Sequence, residues 1–168
     1  LTESDDPRNL DAASKLAAKG YAKPLLVGNR AAITELARAR SISLDGVEVE
    51  RILAHRFATL HDRMQTDGNV IVDVGASSVE DFLERMAAWR GSHEDFDLWV
   101  VPVVRSRKQQ HDTINTLKAL RAMGVPAQRV RVVFNWMEHR ETIEDDFEVI
   151  CALGNGEYFA LRPEAKLM

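Results

Sequence analysis

Apolar and polar residues follow two alternating spacings along this chain, one typical of helices and one typical of strands. Up to residue 64 the pattern predicts three helices and two strands. The predicted helices cover residues 9–19, 29–40 and 51–64, and the predicted strands cover residues 23–28 and 45–50. Asn29 precedes the second helix and is expected to cap it, because its side-chain oxygen can accept hydrogen bonds from the first free amides.

The alternation continues to the end of the chain. It predicts strands over residues 69–75, 97–104, 130–135 and 157–161. It also predicts one helix that Ser77 or Ser78 can cap, and two further helices over residues 109–124 and 143–153. The run 97–104 is almost continuously apolar, which is typical of a strand covered on both faces.

Strands that alternate with helices predict the fold class. We expect an α/β fold of three layers, in which a mostly parallel sheet has helices on both faces. The strands over residues 23–28, 69–75, 97–104 and 130–135 are expected to lie parallel in one sheet. The chain has 168 residues, which is within the size of one domain, so we expect a single domain over residues 1–168.

Composition narrows the class of protein. A net charge of -4 disfavours direct nucleic-acid binding, and no apolar run is long enough to span a membrane. The acidic start of the chain does not resemble a signal peptide, and Cys151 is the only cysteine, so we expect a cytoplasmic protein. Because the first residue is Leu1 and not Met, we expect a fragment or a processed form.

The stretch "NVIVDVGASSVEDF", residues 69–82, suggests a functional site. Asp73 is the single carboxylate in an apolar run that leads into a loop of small residues, beginning with Gly75. Arg105 and Asn135 follow two other predicted strands. Ligands of parallel sheets bind at the carboxyl ends of the strands, so these groups are expected to converge there. We assign Asp73 as the catalytic and Mg²⁺-binding residue, and Gly75, Arg105 and Asn135 as cofactor-binding residues.

Each of these residues also has a structural interpretation, which the sequence leaves open. Asp73 can accept hydrogen bonds from the loop amides that follow it. Asn135 is a common turn residue after a strand. Arg105 and Arg107 lie in a basic loop that can simply be solvated, and the acidic residues of the helix over 143–153 can form a solvated face.

The phosphate-binding loop of ATPases is absent from this sequence. That loop has the form G-x-x-x-x-G-K-[ST], and its backbone amides and lysine hold the phosphates. The nearest fragments are "LLVGNRAAIT" and "ALGNGEYF", and neither has the second glycine followed by lysine. Asp73 therefore looks like half of a nucleotide site.

Residues 51–168 resemble the plasmid stability proteins called StbB, which are relatives of the ParA/MinD group of P-loop ATPases. The stretches that carry the resemblance are "VIVDVGASSVEDF", "RGSHEDFDLWVVPVV", "KQQHDTINTLKALRAMGVPA" and "RVRVVFN". The resemblance implies ATP and Mg²⁺ as cofactors, with Asp73 associated with Mg²⁺ and Asn135 in contact with adenine. It implies a plasmid partition protein as partner, or a homodimer.

Residues 2–50 resemble a different family, the phosphate acetyl/butyryltransferases. The stretch "DDPRNLDAASKLAAKGYAKPLLVGNRAAITELA" looks like the opening helix, strand and helix of those enzymes, without their catalytic residues. The two resemblances meet near residues 45–51, which suggests a fusion. Three functions therefore stay open: a ParA/StbB-like nucleotide-binding domain with weak or no ATPase activity, a phosphate acyltransferase-like fragment, and an inactive α/β chimera.

Overall fold

The structure is a computed structural model that describes residues 6–50, 57–66, 69–137, 142–154, 156–162 and 164–167. It is a mixture of helices and strands, and its strands pair in parallel, as predicted. The chain divides into two compact units, one up to Val79 and the other from Glu80 onward. The prediction of one sheet is wrong, because the named strands form two separate parallel pairs. The single domain over residues 1–168 stays a prediction.

The helices and strands follow one another in nearly the predicted order. In the first unit they are α1 (Pro7–Ala18), β1 (Leu25–Val27), α2 (Arg30–Ala39), β2 (Glu48–Glu50) and α3 (Phe57–Thr66). Further along they are α4 (Val79–Ala88), β3 (Trp99–Val103), α5 (Arg107–Ala122), β4 (Val130–Phe134), α6 (Ile143–Asp146) and α7 (Glu148–Leu153). Residues 51–56 of the third predicted helix lie outside the described residues.

The first unit is built on a strand–helix–strand motif, in which α2 connects the parallel strands β1 and β2. Leu25 lies opposite Glu48 and Val27 opposite Glu50. The hydrophobic core cluster of this unit consists of small and aliphatic side chains from α1, β1 and α2: Leu10, Ala13, Leu26, Ile33 and Ala37. Burial of each large aliphatic side chain contributes about 1.5–3 kcal/mol, so this cluster holds the two helices against the strand pair.

Side chains cap the first two helices. The carboxylate of Asp6 accepts a hydrogen bond from the Arg8 amide at 2.8 Å. Its hydrogen bonds with Arg8, first from the side chain and then from the amide, lower the pKa of Asp6 to about 2. The predicted cap Asn29 is confirmed: its Oδ1 accepts from the amides of Ala31 at 3.0 Å and Ala32 at 3.4 Å.

Helices α2 and α5 end with the same hydrogen-bonding motif but with different residues in the left-handed position. After α2, the Ile42 amide donates to the Ala37 carbonyl at 2.9 Å, and Ser41 has φ +55°. After α5, Gly124 takes this position with φ +94°. Glycine adopts positive φ without the clash of a Cβ atom, so Gly124 is suited to follow the end of the helix that was predicted over residues 109–124.

The second unit contains a longer strand–helix–strand motif, in which α5 connects β3 and β4. The two strands pair in parallel from Trp99 opposite Val130 to Val103 opposite Phe134. The last part of the chain then lies on the other side of β4, where the Leu167 amide donates to the Phe134 carbonyl at 2.7 Å. Strand β4 thus has a neighbour on each side.

The core of the second unit lies around β4. Phe134 is fully buried and packs edge-on against Phe147, with 5.0 Å between ring centroids. Helix α5 contributes Leu117 and Leu120 to this core. Phe147 also separates α6 from α7, so the helix predicted over residues 143–153 has a break at its buried aromatic residue.

Residues 69–75 do not form the predicted strand. Their backbone is irregular, and the Ile71 side chain is 93% exposed. A short 3₁₀ turn over Ala76–Ser78 follows and leads into α4. The apolar composition of this run was misleading, because a strand also needs a neighbouring strand that satisfies its backbone hydrogen bonds.

Strand β3 is covered on one face only, which corrects the prediction of burial on both faces. Val101 and Val103 are buried, whereas Val100 is 58% exposed and Pro102 is also exposed. The Asn135 amide donates to the Val103 carbonyl, so the backbone of Val103 faces β4 and that of Pro102 faces away from it. In the described part of the chain, no strand pairs with this outer edge of β3.

Residues 157–161 form turns and irregular backbone with a single β-bridge residue, Ala160, instead of the predicted strand. Phe159 is nevertheless fully buried. Arg121, near the end of α5, forms an ion pair with Glu157 and lies over the ring of Tyr158 at 5.0 Å from its centroid. These side-chain contacts hold the segment against α5. Among the described helices, none combines the length and apolar character needed to cross a bilayer.

Candidate functional site

Two of the predicted site residues follow adjacent strands in the second unit. Arg105 follows β3 and Asn135 follows β4, and these two strands are parallel neighbours. Their carboxyl ends therefore share one edge of the sheet, where ligands bind in open α/β folds. This part of the predicted arrangement is present.

The side chain of Asn135 takes part in its own turn. Its Oδ1 accepts a hydrogen bond from the Trp136 amide at 2.9 Å. Trp136 has φ +59°, which is rare for an aromatic residue, and its side chain is 71% exposed. The turn-forming interpretation of Asn135 agrees with this geometry, and its contact with adenine stays a prediction.

A cavity of about 540 Å³ opens at the same edge, between the start of α5 and the helices α6 and α7. Its volume is in the range of small-molecule sites. The lining residues are mostly polar or charged: Arg105, Arg107, Gln110, His111, Ile114, Asp145, Asp146, Glu148 and Val149. Two arginines on the α5 side thus face a space that three carboxylates on the α6–α7 side also line.

Gln110 connects the two sides of this cavity. Its side chain is only 7% exposed, and its Nε2 donates to the Arg105 carbonyl at 3.0 Å and to the Asp146 carbonyl at 2.9 Å. Among the described residues, no donor reaches its Oε1. This oxygen is accessible to solvent, so a water molecule or a ligand can supply its donor.

The amino end of α5 also lies at this cavity. Its cap residue, Ser106, makes no side-chain hydrogen bond to the helix. The first turn of a helix leaves backbone amides without internal partners, and the helix dipole makes that end positive. Of the first three residues of α5, Arg107 alone lines the cavity, so an anionic group there would meet an arginine at the positive end of the helix.

The cavity includes residues that the sequence analysis did not assign to a site. Asp145, Asp146 and Glu148 were interpreted as part of a solvated face, and Arg107 as part of a solvated loop. Gln110 gave a signal that could have been used, because it lies on the same helical stripe as Ile114 and Leu117. A polar residue on an apolar stripe often has a buried partner. The carboxylates of α6 and α7 give no such local signal.

Asp73 and Gly75 lie in the first unit, whereas Arg105 and Asn135 lie in the second. Asp73 is exposed, and no described residue forms a hydrogen bond or an ion pair with it. Gly75 accepts a hydrogen bond from the Ser78 amide at 2.8 Å and has φ -60°, which any residue can adopt. The predicted roles of Asp73 and Gly75 therefore stay predictions, and the buried strand on which they depended is absent.

The described residues contain no group of three or more His, Cys, Asp or Glu side chains that could hold a metal ion. Cys151 is the only thiol, and burial, followed by the charge of Glu144, raises its pKa. Its Sγ donates to the Ile143 carbonyl at 3.7 Å. Since the thiolate is the reactive form, these surroundings disfavour a nucleophilic role for Cys151.

Comparisons with protein-family models, with curated proteins and with solved structures found no match for this chain.

Proposed function

We propose that this chain is a ParA/StbB-like plasmid-stability domain that binds an adenine nucleotide weakly and does not hydrolyse ATP. The observation that carries the proposal is the cavity at the carboxyl end of β3, beside two arginines and the open amino end of α5. A nucleotide offers a phosphate for the cationic side and hydroxyl groups for the carboxylates. The resemblance of residues 51–168 to StbB supports the plasmid-stability role.

Binding is tested by thermal unfolding of the pure protein with ATP and Mg²⁺, with AMP and with coenzyme A in parallel. A ligand at 100 times its dissociation constant adds about 2.7 kcal/mol to the free energy of unfolding. We expect stabilisation by an adenine nucleotide. Stabilisation by coenzyme A alone would favour the phosphate acyltransferase-like alternative, and no stabilisation by any of the three would favour the inactive chimera.

Hydrolysis is tested separately, by phosphate release from ATP in the presence of Mg²⁺. We expect none above background, because the lysine and glycine-rich loop that stabilise the transferred phosphate have no counterpart in the sequence. Turnover at about 1–100 per second, as in kinases, that is lost in Asp73→Ala would contradict the proposal and would restore Asp73 as a catalytic residue.

A further inference from the structure

Trp136 has a large aromatic side chain that the packing of the second unit does not use. Its indole is 71% exposed, whereas Trp89 is 47% exposed and Trp99 is partly buried. Tryptophan is usually well buried, because an exposed indole leaves a large apolar surface in water. In the described part of the chain, no side chain stacks on the Trp136 ring and no group bonds to its indole nitrogen. The ring is therefore available to a ligand.

The backbone around Trp136 fixes the position of this ring. Trp136 has φ +59°, a left-handed conformation that costs free energy in a residue with a Cβ atom. On one side of it, the Asn135 amide donates to the Val103 carbonyl at 2.8 Å. On the other side, the amide of the buried Met137 donates to the Leu167 carbonyl at 3.0 Å. Trp136 is thus held in a strained conformation between two anchored neighbours, and such strain is typical of residues that a functional site uses.

The shape and the position of the ring indicate its ligand. Trp136 closely follows β4, at the edge of the sheet where Arg105 follows β3 and where the cavity opens. A flat aromatic surface gains most from stacking on a second planar ring, and a nucleotide base is such a ring. We propose that Trp136 binds the adenine base of the nucleotide by stacking. This inference rests on the proposed function, because it names the residue that holds the base.

The contribution of the base is measured by calorimetric titration of the whole chain with AMP and with ribose 5-phosphate, which is AMP without its base. We expect ribose 5-phosphate to bind at least about tenfold more weakly than AMP, because it has no ring to stack on Trp136. Ribose 5-phosphate that binds as tightly as AMP would overturn the inference, since the base would then contribute nothing.

Substitutions of two tryptophans locate the stacking residue. Trp136→Leu is expected to weaken AMP binding about tenfold, and Trp136→Phe, which retains an aromatic ring, about threefold. Trp89→Leu is the matched control, since Trp89 is an exposed tryptophan of the same unit that follows a helix and not a strand, and it should leave the affinity unchanged. Stacking on a base also quenches indole fluorescence. AMP should therefore quench the emission of the original protein and of Trp89→Phe, and this quenching should be lost in Trp136→Phe.

The outcomes separate this inference from the proposed function. AMP binding that Trp136→Leu and Trp89→Leu affect equally, or quenching that persists in Trp136→Phe, overturns the inference and leaves the proposed function in place. The absence of binding by both AMP and ATP to the original protein overturns both. Thermal unfolding without ligand shows whether each variant is folded. If Trp136→Leu is not, the quenching in Trp136→Phe decides the inference, because that variant retains a ring of similar character.

Discussion

The two strand–helix–strand motifs of this chain have the same topology, but they differ in the residues that cap and end their helices. In the first, Asn29 uses its side chain to satisfy the first amides of α2, and the helix ends at Ser41 in a left-handed conformation. In the second, Ser106 leaves the first turn of α5 uncapped, and the helix ends at Gly124. Local hydrogen bonds thus complete the amino end of the first helix, whereas the second has this end at a cavity. The difference suggests that the first motif is structural and that the second is available for a ligand.

The largest expected effect is in the core of the second motif. Phe134→Ala removes a fully buried ring that packs against Phe147, and we expect a loss of about 3–5 kcal/mol in the free energy of unfolding. Ile71→Ala removes a large side chain that is almost fully exposed and should change stability by less than about 0.5 kcal/mol. Urea denaturation of both variants measures the contrast. Equal effects would show that the run 69–75 is packed like a buried strand.

The next largest change in stability is expected at the carboxyl ends of α2 and α5. Gly124→Ala places a Cβ at positive φ, and we expect a loss of about 1–2 kcal/mol. Ser41→Gly removes such a Cβ but increases the entropy of the unfolded chain, so we expect a gain of about 0.5 kcal/mol. Thermal unfolding checks both changes. A loss of stability in Ser41→Gly would mean that the serine side chain contributes more than its backbone strain costs.

The amino ends of the two helices give a third test. Asn29→Ala removes the cap of α2 and is expected to cost about 1 kcal/mol, whereas Ser106→Ala should change stability by less than about 0.5 kcal/mol because Ser106 caps nothing. Asn29→Asp retains an acceptor oxygen and serves as the control that should keep the stability. Chemical denaturation distinguishes these variants, and equal losses at the two positions would remove the difference on which the comparison depends.

The smallest effect is expected at Asp73. Its side chain is exposed and has no hydrogen-bonding partner among the described residues, so Asp73→Asn should change the free energy of unfolding by less than about 0.5 kcal/mol. A loss of about 1–2 kcal/mol would show that the loop amides use its carboxylate, as its structural interpretation holds. A stabilising effect of Mg²⁺ that is present in the original protein and lost in Asp73→Asn would instead support the metal-binding role.

The sequence predicted those elements whose signals are local. Helices α1, α2 and α5 have apolar stripes and clear stop or cap residues, and β3 and β4 are short apolar runs between helices. The run 69–75 has the same composition as these strands but forms no strand in the structure. Whether an apolar run becomes a strand depends on a neighbour that is distant in sequence, and composition does not contain that information.

The same limit applies to the candidate site. Arg105 and Asn135 were predicted to lie at one edge of a sheet, and the pairing of β3 with β4 confirms that their strands end side by side. The carboxylates opposite Arg107 come from α6 and α7, about 40 residues further along the chain, and periodicity does not predict such a juxtaposition. Of the residues that line the cavity, Arg105 was predicted from the sequence, and Gln110, a polar residue on an apolar stripe, gave a further signal that was not used.

The proline in β3 has a consequence for the behaviour of the chain at high concentration. An open strand edge with exposed valine can act as a template to which a strand of another molecule adds, and this is a common route to aggregation. Pro102 has no amide hydrogen, and its backbone faces the outer edge of β3, so the donor is missing near the middle of that edge. An incoming strand would leave one of its carbonyl groups without a partner there. We therefore expect Pro102 to protect the outer edge of β3 from pairing with a second molecule.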